Sequence, residues 1–203
     1  MNRLIIVMAK VPILGQVKTR LAKSIGDQAA FWIYKKLLNK TIKTIDSSYW
    51  KTAIFFDPKP NNIAPYQNIS EYTLTQKGTT LGERLINATT WGFDQGYQQV
   101  IVVGSDLWDI NQDTLIKGFH HLEGSDFVIG PTYDGGYYLI GMRFYFKSLF
   151  KNISWSTDKV FEQTVNKLIH HKTKILEKKN DIDSIDDLKK EKELYQLYLK
   201  NFQ

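Results

Sequence analysis

The chain contains no cysteine, which excludes disulfides, thiolate nucleophiles and cysteine-ligated zinc. Nowhere does it hold the run of about 20 apolar residues that a membrane-spanning helix needs. Repeats, low-complexity tracts and linker-like stretches rich in proline or glycine are missing too. Histidine is scarce, and its four residues fall as two adjacent pairs, His120-His121 and His170-His171, on expected helices. Helical neighbours point in different directions and share no face, so none of the four is expected to ligate a metal. The first residues, Met1-Asn2-Arg3-Leu4, enter strand-like sequence at once and show no small-residue cleavage site. A cytoplasmic protein is therefore expected.

What is present suits a globular fold. The 203 residues are 42% hydrophobic, enough for a real core, and a single domain over 1–203 is expected. The net charge of +6 comes from 27 basic and 21 acidic residues. The lysines are dispersed and densest in the helical tail, with no basic stripe interleaved with aromatics, so nucleic acid is not an expected partner. A phosphate-bearing small ligand suits the positive balance.

The most telling stretch is Val100-Ile101-Val102-Val103-Gly104-Ser105-Asp106-Leu107-Trp108-Asp109. Its β-branched run reads as a strand buried on both faces, ending in two acids at its carboxyl end. In open α/β sheets, ligands bind there, and a carboxylate there can hold a hard divalent cation against phosphates. Taken alone, the same acids also suit a turn or a helix cap. A first strand over residues 3–8 leads into a long loop, Ala9-Lys10-Val11-Pro12-Ile13-Leu14-Gly15-Gln16-Val17-Lys18-Thr19-Arg20-Leu21. Gly15 permits close backbone approach, and Lys18 and Arg20 suit phosphate oxygens. The glycine and Gly-Lys-Ser/Thr order of a Walker A loop is absent.

Further along, apolar spacing predicts a helix over 27–45, a strand over 52–56 and a strand over 72–75. The loop Gln76-Lys77-Gly78-Thr79-Thr80-Leu81-Gly82-Glu83-Arg84 runs into a helix reaching about residue 93. That loop can wrap a planar base, read by the Gln76 amide and backbone groups; Glu83 and Arg84 equally suit surface pairs. Strand 100–103 precedes a helix over 112–122 capped by Asn111 or Asp113. Strands over 126–131 and 137–142 flank Asp134-Gly135-Gly136, a hairpin signal. Residues 154–157 look like a helix entry, 174–178 like a strand, and 188–202 like one helix. Ser184 and Asp187 have capping-box spacing, which leaves Asp181 and Asp183 unexplained at a strand's carboxyl end. Alternating strands and helices give a doubly wound, mostly parallel α/β sheet.

Taken in order, these motifs resemble a known family. Ala9-Lys10-Val11-Pro12 with Gly15 to Leu21, Gln76 with Leu81-Gly82-Glu83-Arg84, Gly104-Ser105-Asp106, Gly130-Pro131 with Asp134-Gly135-Gly136-Tyr137-Tyr138, and Trp155-Ser156-Thr157 resemble small bacterial glycosyltransferase-like proteins. These belong to the nucleotide-diphospho-sugar transferase superfamily, with a Rossmann-like GT-A fold carrying helices on both faces. They are associated with radical-SAM and selenium-domain proteins or with arsenosugar biosynthesis. The resemblance spans residues 4–188, and a looser one connects the chain to guanylyltransferases.

The resemblance implies a metal-dependent glycosyltransferase acting on a nucleotide-sugar donor and a small-molecule acceptor, with Mg²⁺ or Mn²⁺. Asp106 and Asp183 correspond to metal ligands. Ala9, Lys10, Gly15, Lys18 and Arg20 of the first loop would hold the nucleotide phosphates, and Ser105 also belongs to the nucleotide site. Gln76, Gly78, Leu81 and Gly82 correspond to its base-reading segment. Lys18 and Arg20 would stabilise the leaving nucleotide, and Asp134 lies on the acceptor side as a candidate base. The chain departs from the pattern in three places. Trp108 replaces a proline, Asp183-Ser184-Ile185 stands for Asp-Thr-Pro, and no strict D-x-D occurs. A nucleotidylyltransferase using an NTP, and a nucleotide-binding protein with a decayed site, remain open alternatives.

Overall fold

A computed structural model describes residues 2–62 and 70–202. Its strands are β1 (Arg3–Lys10), β2 (Lys51–Asp57), β3 (Tyr72–Thr75), β4 (Gln99–Val103), β5 (Phe127–Pro131), β6 (Tyr137–Met142) and β7 (Thr173–Ile175). Among the described residues they form one seven-stranded sheet in the order β3-β2-β1-β4-β6-β5-β7. Only β6 runs against its neighbours, β4 and β5. The helices are α1 (Thr19–Ile25), α2 (Asp27–Ile45), α3 (Leu81–Asp94), α4 (Gln112–Gly124), α5 (Val160–Lys167), α6 (Ile185–Lys190) and α7 (Lys192–Phe202).

The continuous apolar strands are explained by burial on both faces. Along β1, Ile5 and Val7 join Tyr34, Leu38 and Ile42 of α2 and Leu115 and Phe119 of α4. The alternate residues Leu4 and Ile6 join Leu85 and Ala88 of α3 on the other face. A third cluster packs α1, α2, α6 and α7 together through Leu21, Ile33, Leu37, Leu188, Leu194 and Tyr198. No helix among the described residues is long and apolar enough to cross a membrane.

Four elements differ from the sequence expectation. The loop after β1 ends sooner, because α1 begins at Thr19 and takes up Arg20. Residues 154–157 do not start a helix: Ser156 is left-handed (φ 64), the Gln163 side chain bonds Ser154, and α5 begins at Val160. The tail is two helices broken at Glu191, whose N–H donates to Leu188 O (3.1 Å). That break lets Leu188, Leu194 and Tyr198 reach one cluster. The expected final strand is also shorter, Thr173–Ile175.

Strand order places the site. From β1 the chain steps outward to β2 and β3, whereas β4 lies on the opposite side of β1. The connections therefore diverge between β1 and β4, leaving a crevice at their carboxyl ends.

Candidate active site

A cleft of about 720 Å³ opens at that point. In strand order its floor is Gln76 after β3, Asp57 ending β2, Met8 to Lys10 of β1, Val102 and Val103 of β4 with Gly104 to Asp106 just beyond it, and Gly136 to Tyr138 opening β6. Lys18 is its central feature. Left-handed at φ 48 and capping α1, its side chain is 4% exposed, with Nζ 2.5 Å from Asp106 Oδ1 and 2.9 Å from Asp183 Oδ1. Burial alone would lower its pKa, but the two carboxylates outweigh burial and hold the ammonium above the usual lysine value. Arg20, 69% exposed, stands 3.6 Å from Asp183 Oδ2. The structure thus brings Lys18, Arg20, Asp106 and Asp183 to one point, across 165 residues of chain.

Asp183 is delivered by pairing of the loop after β4 with the segment before α6. Leu107 and Asp181 form an antiparallel bridge, and Ile182 N–H donates to Asp106 O (3.1 Å). Buried Lys179 fastens the same segment to Asp109 Oδ2 (2.6 Å), which gives Asp109 a bracing role. The Ser184–Asp187 capping box follows directly. Trp108 turns away from the cleft, its indole N–H on Glu193 Oε2 (3.0 Å) and its ring under Lys40. The tryptophan standing in place of the pattern's proline therefore does not crowd the acids.

The remaining expected residues divide. Ala9, Lys10, Gln76, Leu81, Ser105 and Asp134 line the cleft, whereas Gly15, Gly78 and Gly82 do not. Gly78, at φ +125, lets its loop fold onto Glu83, whose Cβ would stand 2.6 Å from an added Cβ. Gly82 packs beneath Trp155 and Phe150. Gln76 spends its amide N–H groups on Ala9 O and Phe55 O (2.9 Å each), so only its carbonyl oxygen is left to read a base. Asp134 Oδ1 accepts from Thr132 Oγ1 (2.5 Å) and Gly136 N–H (2.9 Å), fixing the turn.

Sequence reasoning passed over several cleft residues. Tyr34, read as packing, ties the two central strand ends together. Its hydroxyl accepts from Lys10 N–H and donates to Lys10 O (2.8 Å each), and lies 3.3 Å from Ser105 Oγ. Burial pushes that phenol's pKa well up. Asp57, read as part of a plain turn, pairs with Arg84; its place at a strand's carboxyl end was the available signal. Trp155 and Thr157, quoted in a motif but given no role, form one wall with Asp158, which no motif contained. Asp181, outside the lining and left unexplained by its sequence position, has its pKa pushed up to about 6, by burial first and then by Asp134 and Asp183.

Among the described residues no three histidine or acidic side chains form a metal-holding group. The donor set is instead a pair, Asp106 and Asp183, converging on one cationic atom. That fits a hard divalent cation, which commonly takes one or two carboxylates and completes its shell with phosphate oxygens and water.

A mostly parallel sheet with this strand order, one reversed strand beside the switch point, and helices on both faces is the nucleotide-diphospho-sugar transferase fold. Residues 41–157, more than half of the chain, match the family described as uncharacterized proteins conserved in bacteria, DUF2064; the protein belongs to that family. The chain is similar to a Desulfovibrio desulfuricans G20 protein inferred to be a nucleotide-diphospho-sugar transferase. That match has 27% identity and TM-score 0.84, covering 98% of this chain and 99% of the other. A Leptospira borgpetersenii cytidylyltransferase shares the fold at 12% identity and TM-score 0.59, over 99% and 95% of the two chains. So does 4-diphosphocytidyl-2C-methyl-D-erythritol synthase of Anaerococcus prevotii, at 11% identity and TM-score 0.57 over 96% of each. No curated protein matches the chain.

Proposed function

We propose that the protein is a glycosyltransferase, using a nucleotide-diphospho-sugar donor, a small-molecule acceptor and Mg²⁺ or Mn²⁺. The observation that carries this reading is the Lys18 ammonium held between Asp106 and Asp183 where the sheet's connections diverge. The radical-SAM-associated and arsenosugar-type transferases, which the motifs resemble, and the Desulfovibrio relative point the same way.

In this reaction the bond from the sugar's anomeric carbon to the diphosphate oxygen breaks. A bond from that carbon to an acceptor oxygen forms, and nucleoside diphosphate leaves. Lys18 and Arg20 offset the negative charge that builds on the leaving diphosphate, from positions set before the reaction begins. Asp134 takes the proton of the acceptor hydroxyl. The fixed turn around its Oδ1 holds that carboxylate in place. Asp106 and Asp183 would hold the divalent cation, which when bound neutralises diphosphate charge as a Lewis acid.

Asp106→Asn tests the reading. Titrations of nucleoside diphosphate and sugar nucleotide with Mg²⁺ or Mn²⁺ should show affinity lowered at least about tenfold, since loss even of a residue behind a metal ligand costs that much. Unchanged affinity and unchanged metal dependence in the variant would sink it.

A second reading is nucleotidyl transfer, favoured by the fold shared with cytidylyltransferases and by adjacent Lys18 and Arg20, which suit a triphosphate. Release of pyrophosphate from an NTP, rather than nucleoside diphosphate from a sugar nucleotide, would select it.

A further inference from the structure

Charge is unevenly compensated along the cleft. Its lining cations, Lys10, Lys18, Arg20 and Arg84, stand among Asp57, Asp106 and Asp183, with which the last three of them pair. At the opening of β6 and along 155–158 the character changes: Asp134, Gly136, Tyr137, Trp155, Thr157 and Asp158 line the cleft there with no cation among them. Two carboxylates, a hydroxyl and two aromatic rings meet there, the Tyr137 and Trp155 rings packing edge to face at 6.4 Å.

This end is built, not merely lined. The backbone of Asp158 presses so closely on Gly135 that an added Cβ would lie 2.2 Å from Asp158 O. Phe161 N–H donates to Gly135 O (2.8 Å), and Gly135 itself sits at φ +90. The wall carrying Trp155, Thr157 and Asp158 is thereby clamped to the turn carrying Asp134. Ionised carboxylates only accept hydrogen bonds, so this end suits a partner rich in hydroxyl or ammonium donors. It repels a phosphate, because like charges brought together at an interface are costly.

We infer that the acceptor is an uncharged or cationic polyhydroxylated molecule, not a phosphorylated one, bound between Asp134 and the wall of Trp155 to Asp158. The inference rests on the glycosyltransferase reading and names the acceptor class for the same cleft. It also separates the two reactions, since nucleotidyl transfer to a phosphorylated molecule must seat an anion there.

The test begins with nucleoside diphosphate and Mg²⁺ on the full chain. If neither wild-type binding nor stabilisation is seen, the functional reading itself falls, and this inference with it. With that complex saturated, glucose, glucosamine and glucose monophosphate are titrated in by calorimetry. Glucose or glucosamine should bind about tenfold tighter than the phosphate, or more. Asp158→Lys should reverse the order, and Asp158→Asn, which keeps the side chain's size, should narrow it if the lysine variant misfolds. Tighter binding of the phosphate by the wild type, an order insensitive to both substitutions, or no binding of any of the three overturns the inference.

Discussion

Lys18 is a cation almost out of solvent, held in a left-handed backbone conformation that few lysines adopt. Its partners explain why it is tolerated: Asp106 and Asp183 are 45% and 42% exposed at the side chain, so the cluster is paired and partly hydrated. Removing one member of a buried pair strands the others. Lys18→Met leaves the two carboxylates without their ammonium, and a loss of about 2 kcal/mol is expected, since solvent at the acids softens the penalty. Millimolar Mg²⁺ should restore part of the lost melting temperature. A variant whose thermal midpoint ignores Mg²⁺ would count against a two-carboxylate cation site. At this scale Asp106 was legible from sequence, as an acid just past a buried strand. Tyr34 was not, because a tyrosine on an amphipathic helix reads as packing until the strand end it touches is known.

The short helix α6 is the element that sets Asp183. Ser184 Oγ accepts from Asp187 N–H (3.2 Å), and Asp187 Oδ2 accepts from Ser184 N–H (3.0 Å). Without this cap the segment carrying Asp183 loses its fixed end. Ser184→Ala should lower stability by about 1 kcal/mol and weaken metal-dependent nucleotide binding. Both effects are readable in one urea titration run with and without nucleotide.

The cap also has a pH signature. Burial works to raise the Asp187 pKa, but Ser184 and Lys190 outweigh it and the net direction is down. A carboxyl with a lower pKa folded than unfolded stabilises the fold above the ordinary aspartate value of about 3.9. That contribution disappears as pH falls through the depressed folded value. Urea midpoints measured down through this range should fall less steeply in Ser184→Ala than in the wild type. The capping box was readable in the sequence, since it depends on residues three apart. The break at Glu191 was not, because both halves share one amphipathic pattern.

At the scale of the whole molecule, α7 closes the third cluster by laying Leu194 and Tyr198 against α2. Leu194→Ala should cost about 3 kcal/mol, as expected for a fully buried leucine. Nucleotide affinity should be unchanged, because Leu194 does not line the cleft. A matching loss of affinity, measured by titration, would mean that the tail supports the site directly. The class of fold is readable from residue order alone, because continuous β-branched runs alternating with amphipathic helices can be buried in few ways other than a doubly wound sheet. Residue order also tells which strand ends carry acids and cations, since those residues lie next to the strands in the chain. Which of them meet is settled by the folded chain. Lys18 touching Asp183, Asp57 joining Arg84, and Asp158 locking onto Gly135 depend on strand order and loop pairing. Those are set by contacts far apart in sequence, which local periodicity cannot encode.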